Sequence, residues 1–168
     1  MRKHTYFHTF QGEGWPLIEE IEPYFTKPPE GRGWFHDSGN DSARLDAIGV
    51  DGADDLPFGK GRVDVNLWMW GNPDLGVLLI YQKAGGGHHE AFVSKGDLTK
   101  LKQWVRTLHG DPMPIGLYIP FERAWLAVKE FMETNGQLPT SIEWVRNGDL
   151  PEHTFPDPTV RLPGESEE

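Results

Sequence analysis

His88-His89-Glu90 sets two imidazoles and a carboxylate in consecutive positions, the residue types that bind a metal ion or move a proton. The stretch follows Gly85-Gly86-Gly87 and has strand character, so neighbouring side chains point to opposite faces and do not readily share one ion. His4 and His8 are four apart in another strand-like segment, and no HExxH helix surrounds them. His36 beside Asp37 has the makings of an oriented base, yet no serine elbow or cysteine accompanies it. The Asp-rich run lacks the twelve-residue ligand order of an EF-hand. Gly85-Gly86-Gly87 and Gly59-Lys60-Gly61 lack the Lys-Ser/Thr and following helix of a phosphate loop. One enzymatic reading stays open: a small metal-assisted hydrolase using His36, His88 or His89 with Asp residues. The reading favoured here expects no catalytic set, no cofactor and no bound metal.

Charge points elsewhere. The net charge is −10, and all of it falls in two turn-rich stretches. Residues 37–55 hold Asp37, Asp41, Asp46, Asp51, Asp54 and Asp55 against Arg44. Residues 149–168 hold six acids against Arg161, and the rest of the chain is balanced. Such stretches are either solvated loop and tail or an electrostatic lure for a basic partner. No Lys/Arg stripe exists to displace counterions from phosphates, so direct nucleic-acid binding is not expected. The longest apolar run, Val77 to Tyr81, is far shorter than a membrane span. With no cysteine and no continuous apolar leader, a cytoplasmic protein is the expectation.

The elements that would position these groups show best in the second half. Val63, Val65, Leu67 and Met69 alternate with Asp64, Asn66, Trp68 and Trp70, a strand with one buried face. Trp68 and Trp70 fall on its more polar side, either covering the sheet beneath a loop or forming a contact surface. Val77 to Tyr81 is apolar on both faces, as a central strand would be, and Glu90 to Val93 gives a third strand. Short connections make this an antiparallel meander. Phe121, Ala124, Trp125, Val128, Phe131 and Met132 share one helical face, with Arg123, Lys129, Glu130 and Glu133 outside it. Asn135-Gly136 and Pro139 stop that helix, and a strand over 141–145 follows.

The first half is less regular. Residues 4–10 read as a strand, and 17–25 as a turn or two of helix limited by Pro23. Residues 26–60 read as a long Gly/Asp-rich loop anchored by Trp34 and Phe35. Residues 97–109 fit helix and strand equally. The expected architecture is one α+β domain over 1–150, an antiparallel sheet with the C-terminal amphipathic helix on one face and a closing strand. An acidic, flexible tail over 151–168 follows.

The segment Ile119–Trp144, IPFERAWLAVKEFMETNGQLPTSIEW, resembles the C-terminal signature of immunity-protein family one of bacterial polymorphic toxin systems. The resemblance rests on Glu122, Ala124, Ala127-Val128, Phe131, Thr134-Asn135-Gly136, Pro139 and Glu143-Trp144. Gly76-Val77-Leu78 and Phe92-Val93-Ser94-Lys95-Gly96 are similar to the family's sheet segments. It implies an antitoxin that forms a heterodimer with a cognate toxin, often a nucleic-acid deaminase, and catalyses nothing. A non-toxin adaptor is the remaining alternative. A toxin acting on nucleic acid needs a basic groove, so the expected interface is Trp34, Asp37, Asp41, Asp46, Asp51, Asp54, Asp55, Trp68 and Trp70.

Overall fold

The computed structural model describes residues 1–26 and 41–165. Trp34, Phe35, His36 and Asp37 lie outside the described residues. Ten strands and two helices run in the order β1 (Arg2–Phe7), β2 (Phe10–Glu13), α1 (Ile18–Thr26), β3 (Ser42–Ile48), β4 (Asp64–Asn72), β5 (Gly76–Gly85), β6 (His88–Ser94), β7 (Trp104–Arg106), β8 (Pro112–Pro114), β9 (Tyr118–Ile119), α2 (Phe121–Glu133) and β10 (Trp144–Arg146) among the described residues. The main sheet has the order β10-β6-β5-β4-β3-β1-β2, antiparallel throughout, with β9 pairing the start of β5. β4 to β6 form the expected meander, and β7 with β8 is a separate small hairpin.

Both helices lie on one face. Leu45, Leu67, Met69, Leu79 and Phe7 point from the sheet into a core closed by Ile21 and Phe25 of α1 and by Val128 and Phe131 of α2. Burial of such side chains stabilises by roughly 1.5–3 kcal/mol each. That explains α1, which runs nine residues through Pro23 where the proline predicts only a turn or two. An interior proline costs about 3 kcal/mol. Burying Ile21, and Phe25 stacked 5.4 Å from Trp125, offsets it.

On the other face of β5 a smaller core forms from Leu78, Val93, Met113, Leu117 and Tyr118, with Leu150 and Phe155 packed against it. β5 is therefore apolar on both sides because it separates two cores. Ser94 holds the branch point: its Oγ accepts from Leu79 N at 2.9 Å and donates to Leu117 O at 2.7 Å. Gly76 sits where β9 crosses β5, at φ 107°, and a Cβ there would collide with Ile119 O.

The structure overturns one reading of the sequence, decides one left open and adds detail to two others. The stretch read as loop 26–60 contains β3, which pairs β1 on one side and β4 on the other. Its buried side is Ala43, Leu45 and Ala47, too small a hydrophobic signal to stand out among the aspartates. Residues 97–109 are neither long helix nor long strand, but a 3-10 turn at Leu98–Lys100 followed by β7. The described part of the tail, expected to be flexible, makes contacts with β7. Arg106 Nε pairs Glu165 at 2.6 Å, Trp104 Nε1 donates to Thr154 O, and Leu162 is buried. The closing strand is real but shifted, pairing as Trp144–Arg146 with β6.

Candidate partner-binding face

Among the described residues, the face of the sheet opposite the helices is only half covered. The β7–β8 hairpin and the segment carrying Leu150 and Phe155 close one end, beside Leu78 and Val93. At the open end the period of two on adjacent strands sets Tyr6, Arg44 and Trp68 in one row, because Tyr6 pairs with Arg44 and Arg44 with Trp68. The Arg44 guanidinium lies 4.5 Å from the Tyr6 ring centre and 4.7 Å from that of Trp68. Trp68 stacks on Trp70 at 5.6 Å with planes 13° apart, and His4 stacks on Tyr6 at 6.1 Å. The result is a continuous ladder of rings around one cation. Each cation–π contact adds about 0.5–2 kcal/mol and fixes the ring orientation.

Asp46, two residues along β3 and on the same face, anchors the ladder. It is 5% exposed and accepts from Arg44 Nε at 2.9 Å and from Asn66 Nδ2 at 2.7 Å. The Trp15 indole also donates to the Asp46 carbonyl at 2.9 Å. Arg44 is thus anchored through Nε while its two Nη groups make no hydrogen bond among the described residues. The indoles divide in the same way. Trp15, Trp104 and Trp144 donate to backbone carbonyls, whereas Trp68 and Trp70, like Trp125 in the main core, donate to nothing among the described residues.

A groove of about 760 Å³ continues the open face past Asn66, between Gln82, His89 and Ala91 on one side and Arg146 and Asn147 on the other. A second cleft of about 530 Å³ lies at the end of the sheet below α2, lined by Asp51, Asp54, Lys83, Glu90 and Tyr81. Burial, followed by the charges of Glu90 and Asp51, pushes the Tyr81 phenol up to about 12. Its hydroxyl donates to Gly136 O at 2.9 Å, so it locks the helix–strand joint in its neutral form.

The nine residues expected at an interface do not form one patch. Trp34 and Asp37 lie outside the described residues. Asp41 is buried at the start of β3, where it accepts from Leu108 N at 2.9 Å and burial raises its pKa. Asp46 is buried inside the ladder. Asp51, Asp54 and Asp55 sit together on the exposed β3–β4 connection, at the opposite end of the strand from Asp41. Asp51 pairs Lys83 at 2.7 Å and Asp54 meets the Met1 amino group at 2.6 Å. Trp68 and Trp70 are half-buried on the helix-free face, as their parity predicts, and Trp70 packs against the second core beside Leu78.

Sequence reasoning missed Tyr6 and Arg44. The available signal was Arg44 standing among alternating Ala43, Leu45 and Ala47, but it has meaning only once that stretch is a strand. His88 and His89 do project from β6 in opposite directions, and His88 lies 3.8 Å from Glu90. Among the described residues no group of three or more His, Cys, Asp or Glu is placed to hold a metal ion. Nor is any helix among them long and apolar enough to cross a membrane.

Among known protein families, the model described as Immunity protein Imm1 matches residues 59–146, just over half of the chain. The match runs from the loop before β4 to the last residue of β10, so it includes Trp68 and Trp70 and leaves out Tyr6 and Arg44. No curated protein and no solved structure matches the chain.

Proposed function

Because the chain belongs to the Imm1 family of immunity proteins, we propose that it neutralises a cognate toxin by binding it one-to-one and covering its substrate cleft. The family match over β4–β10 and α2 carries this reading. The target that fits best is a toxin acting on nucleic acid, such as a deaminase, in the cytoplasm. Such an enzyme draws a polyanion into a basic groove. The exposed carboxylates of Asp51, Asp54 and Asp55 are of the right sign to enter it. The scaffold supports an inhibitor's role: a sheet with a core on both sides of β5 presents its surface with little ordering cost on binding.

Co-expression tests it. Cells producing the toxin domain encoded beside this gene are expected to survive when they also make this chain, and the two purified proteins to elute as a one-to-one complex. Continued killing at full expression of the folded chain would overturn the proposal.

A further inference from the structure

The open end of the helix-free face, with its border on the second core, carries hydrogen-bond donors that have no acceptor among the described residues. Arg44 presents two Nη groups, and Trp68 and Trp70 present their indole N–H groups, none with a partner among the described residues. The one carboxylate inside the ladder, Asp46, is already engaged by Arg44 Nε and Asn66. Tyr6 and Trp68, from the strands on either side, hold the guanidinium between their rings and leave its Nη groups as the free donors among the described residues. An edge-on guanidinium between aromatic walls matches a carboxylate, which takes two parallel N–H bonds. Tyr, Trp and Arg are also the residues that dominate binding energy at protein interfaces, most of all where a neighbouring layer keeps water out. Here the β7–β8 layer supplies that rim on one side.

We infer that this face is the anchor of the toxin interface, and that the toxin places an Asp or Glu side chain against the outer edge of Arg44 between Tyr6 and Trp68. The inference rests on the immunity reading above and adds the site and the partner's chemistry. It puts the energetic centre on the ladder and leaves the aspartates of the β3–β4 connection as steering charge. A protein occupant is favoured over a single-stranded nucleic acid, which also stacks on aromatic rings, because the chain carries a net charge of −10 and this face offers one stacked cation.

The test uses the full chain and the purified toxin domain encoded beside it. Tyr6→Ala and Trp68→Ala are expected to weaken binding on the order of 30-fold or more. Leu126→Ala, on the outer side of α2, is expected to bind as wild type. In a variant-free readout on ¹⁵N-labelled protein, the indole resonances of Trp68 and Trp70 move on adding toxin while that of Trp104 stays. The Arg44→Lys variant supplies the chemical identity: carbodiimide treatment of its complex links position 44 to a toxin Asp or Glu. Binding that survives both alanine substitutions with the two indoles unmoved overturns the inference, even where the toxin is still neutralised. So does displacement of the toxin by an oligothymidine that shifts the same indoles. A wild-type chain that does not bind the toxin at all removes the underlying reading instead.

Discussion

Ser94 shows how much one hydroxyl can hold. At that point β5 stops pairing β6 and begins pairing β9, so two backbone groups would otherwise be stranded in a dry interior. Its Oγ accepts from one and donates to the other, Leu79 N and Leu117 O. A buried unsatisfied group costs about 1–3 kcal/mol. Ser94→Ala is therefore expected to lower unfolding stability by about 2–4 kcal/mol, a large part of the 5–15 kcal/mol typical of a domain. Urea unfolding measures it, and a loss under about 0.5 kcal/mol would show that the branch satisfies itself another way. Arg44 is the opposite case at the same scale. Its Nε is fixed by Asp46 and its Nη groups have no partner, so only one of its five N–H donors is used among the described residues.

At the scale of elements, α2 and its stop were legible almost letter by letter, while the strand after them starts three residues later than the sequence suggests. Seven residues of α2 are buried, and Asn135 at φ 54° with Gly136 at φ 99° closes the helix as a left-handed stop must. The clamp was not legible, because Glu130 reads as an ordinary surface residue. It accepts from Thr140 N at 2.6 Å and Ser141 N at 2.9 Å and so fastens the returning chain to the helix. Partial burial pushes its carboxyl up, but the hydrogen bonds from Thr140 and Ser141 outweigh that and leave it below the ordinary value of 4.5. A carboxyl depressed in the folded state stabilises above its unfolded pKa, and that contribution disappears as pH falls through the folded one. The stability gap between wild type and Glu130→Gln is thus expected to be widest above pH 4.5 and to close as pH drops below it. Thermal melts of both proteins across that window measure the gap, and a constant gap would remove the clamp. β3 was illegible for another reason. A strand buried through two alanines and a leucine carries little hydrophobic signal, and Asp46 within it and Asp41 just before it, read as solvent-seeking, are both buried. Without β3 the pairing of Arg44 with Tyr6 and Trp68 has no basis, so only the tryptophan half of the candidate face could be found from sequence.

For the whole molecule the question is where the net charge of −10 acts. The fold redistributes what the sequence groups together. Asp41 and Asp46 turn inward, and Glu165 is held by Arg106, whose hydrogen bonds, with that of Leu162 N, bring its carboxyl down to about 2. Asp51, Asp54 and Asp55 remain exposed on one connection at the end of the sheet. Charge at the rim of an interface changes the rate of encounter more than the lifetime of the complex. Replacing all three by lysine is therefore expected to slow association with the toxin domain roughly tenfold or more at ~0.01 M salt, with little change in dissociation. The difference should vanish at ~1 M salt, where the screening length falls to about 3 Å. Ladder substitutions are expected to do the reverse, shortening the complex's lifetime at every salt concentration, since buried ring contacts are not screened. Stopped-flow association and dissociation rates for the two sets of variants distinguish the roles. Equal association rates for the triple variant and wild type at low salt would mean that the connection neither steers nor touches the toxin. Recognition would then fall to the ladder and the groove beside it.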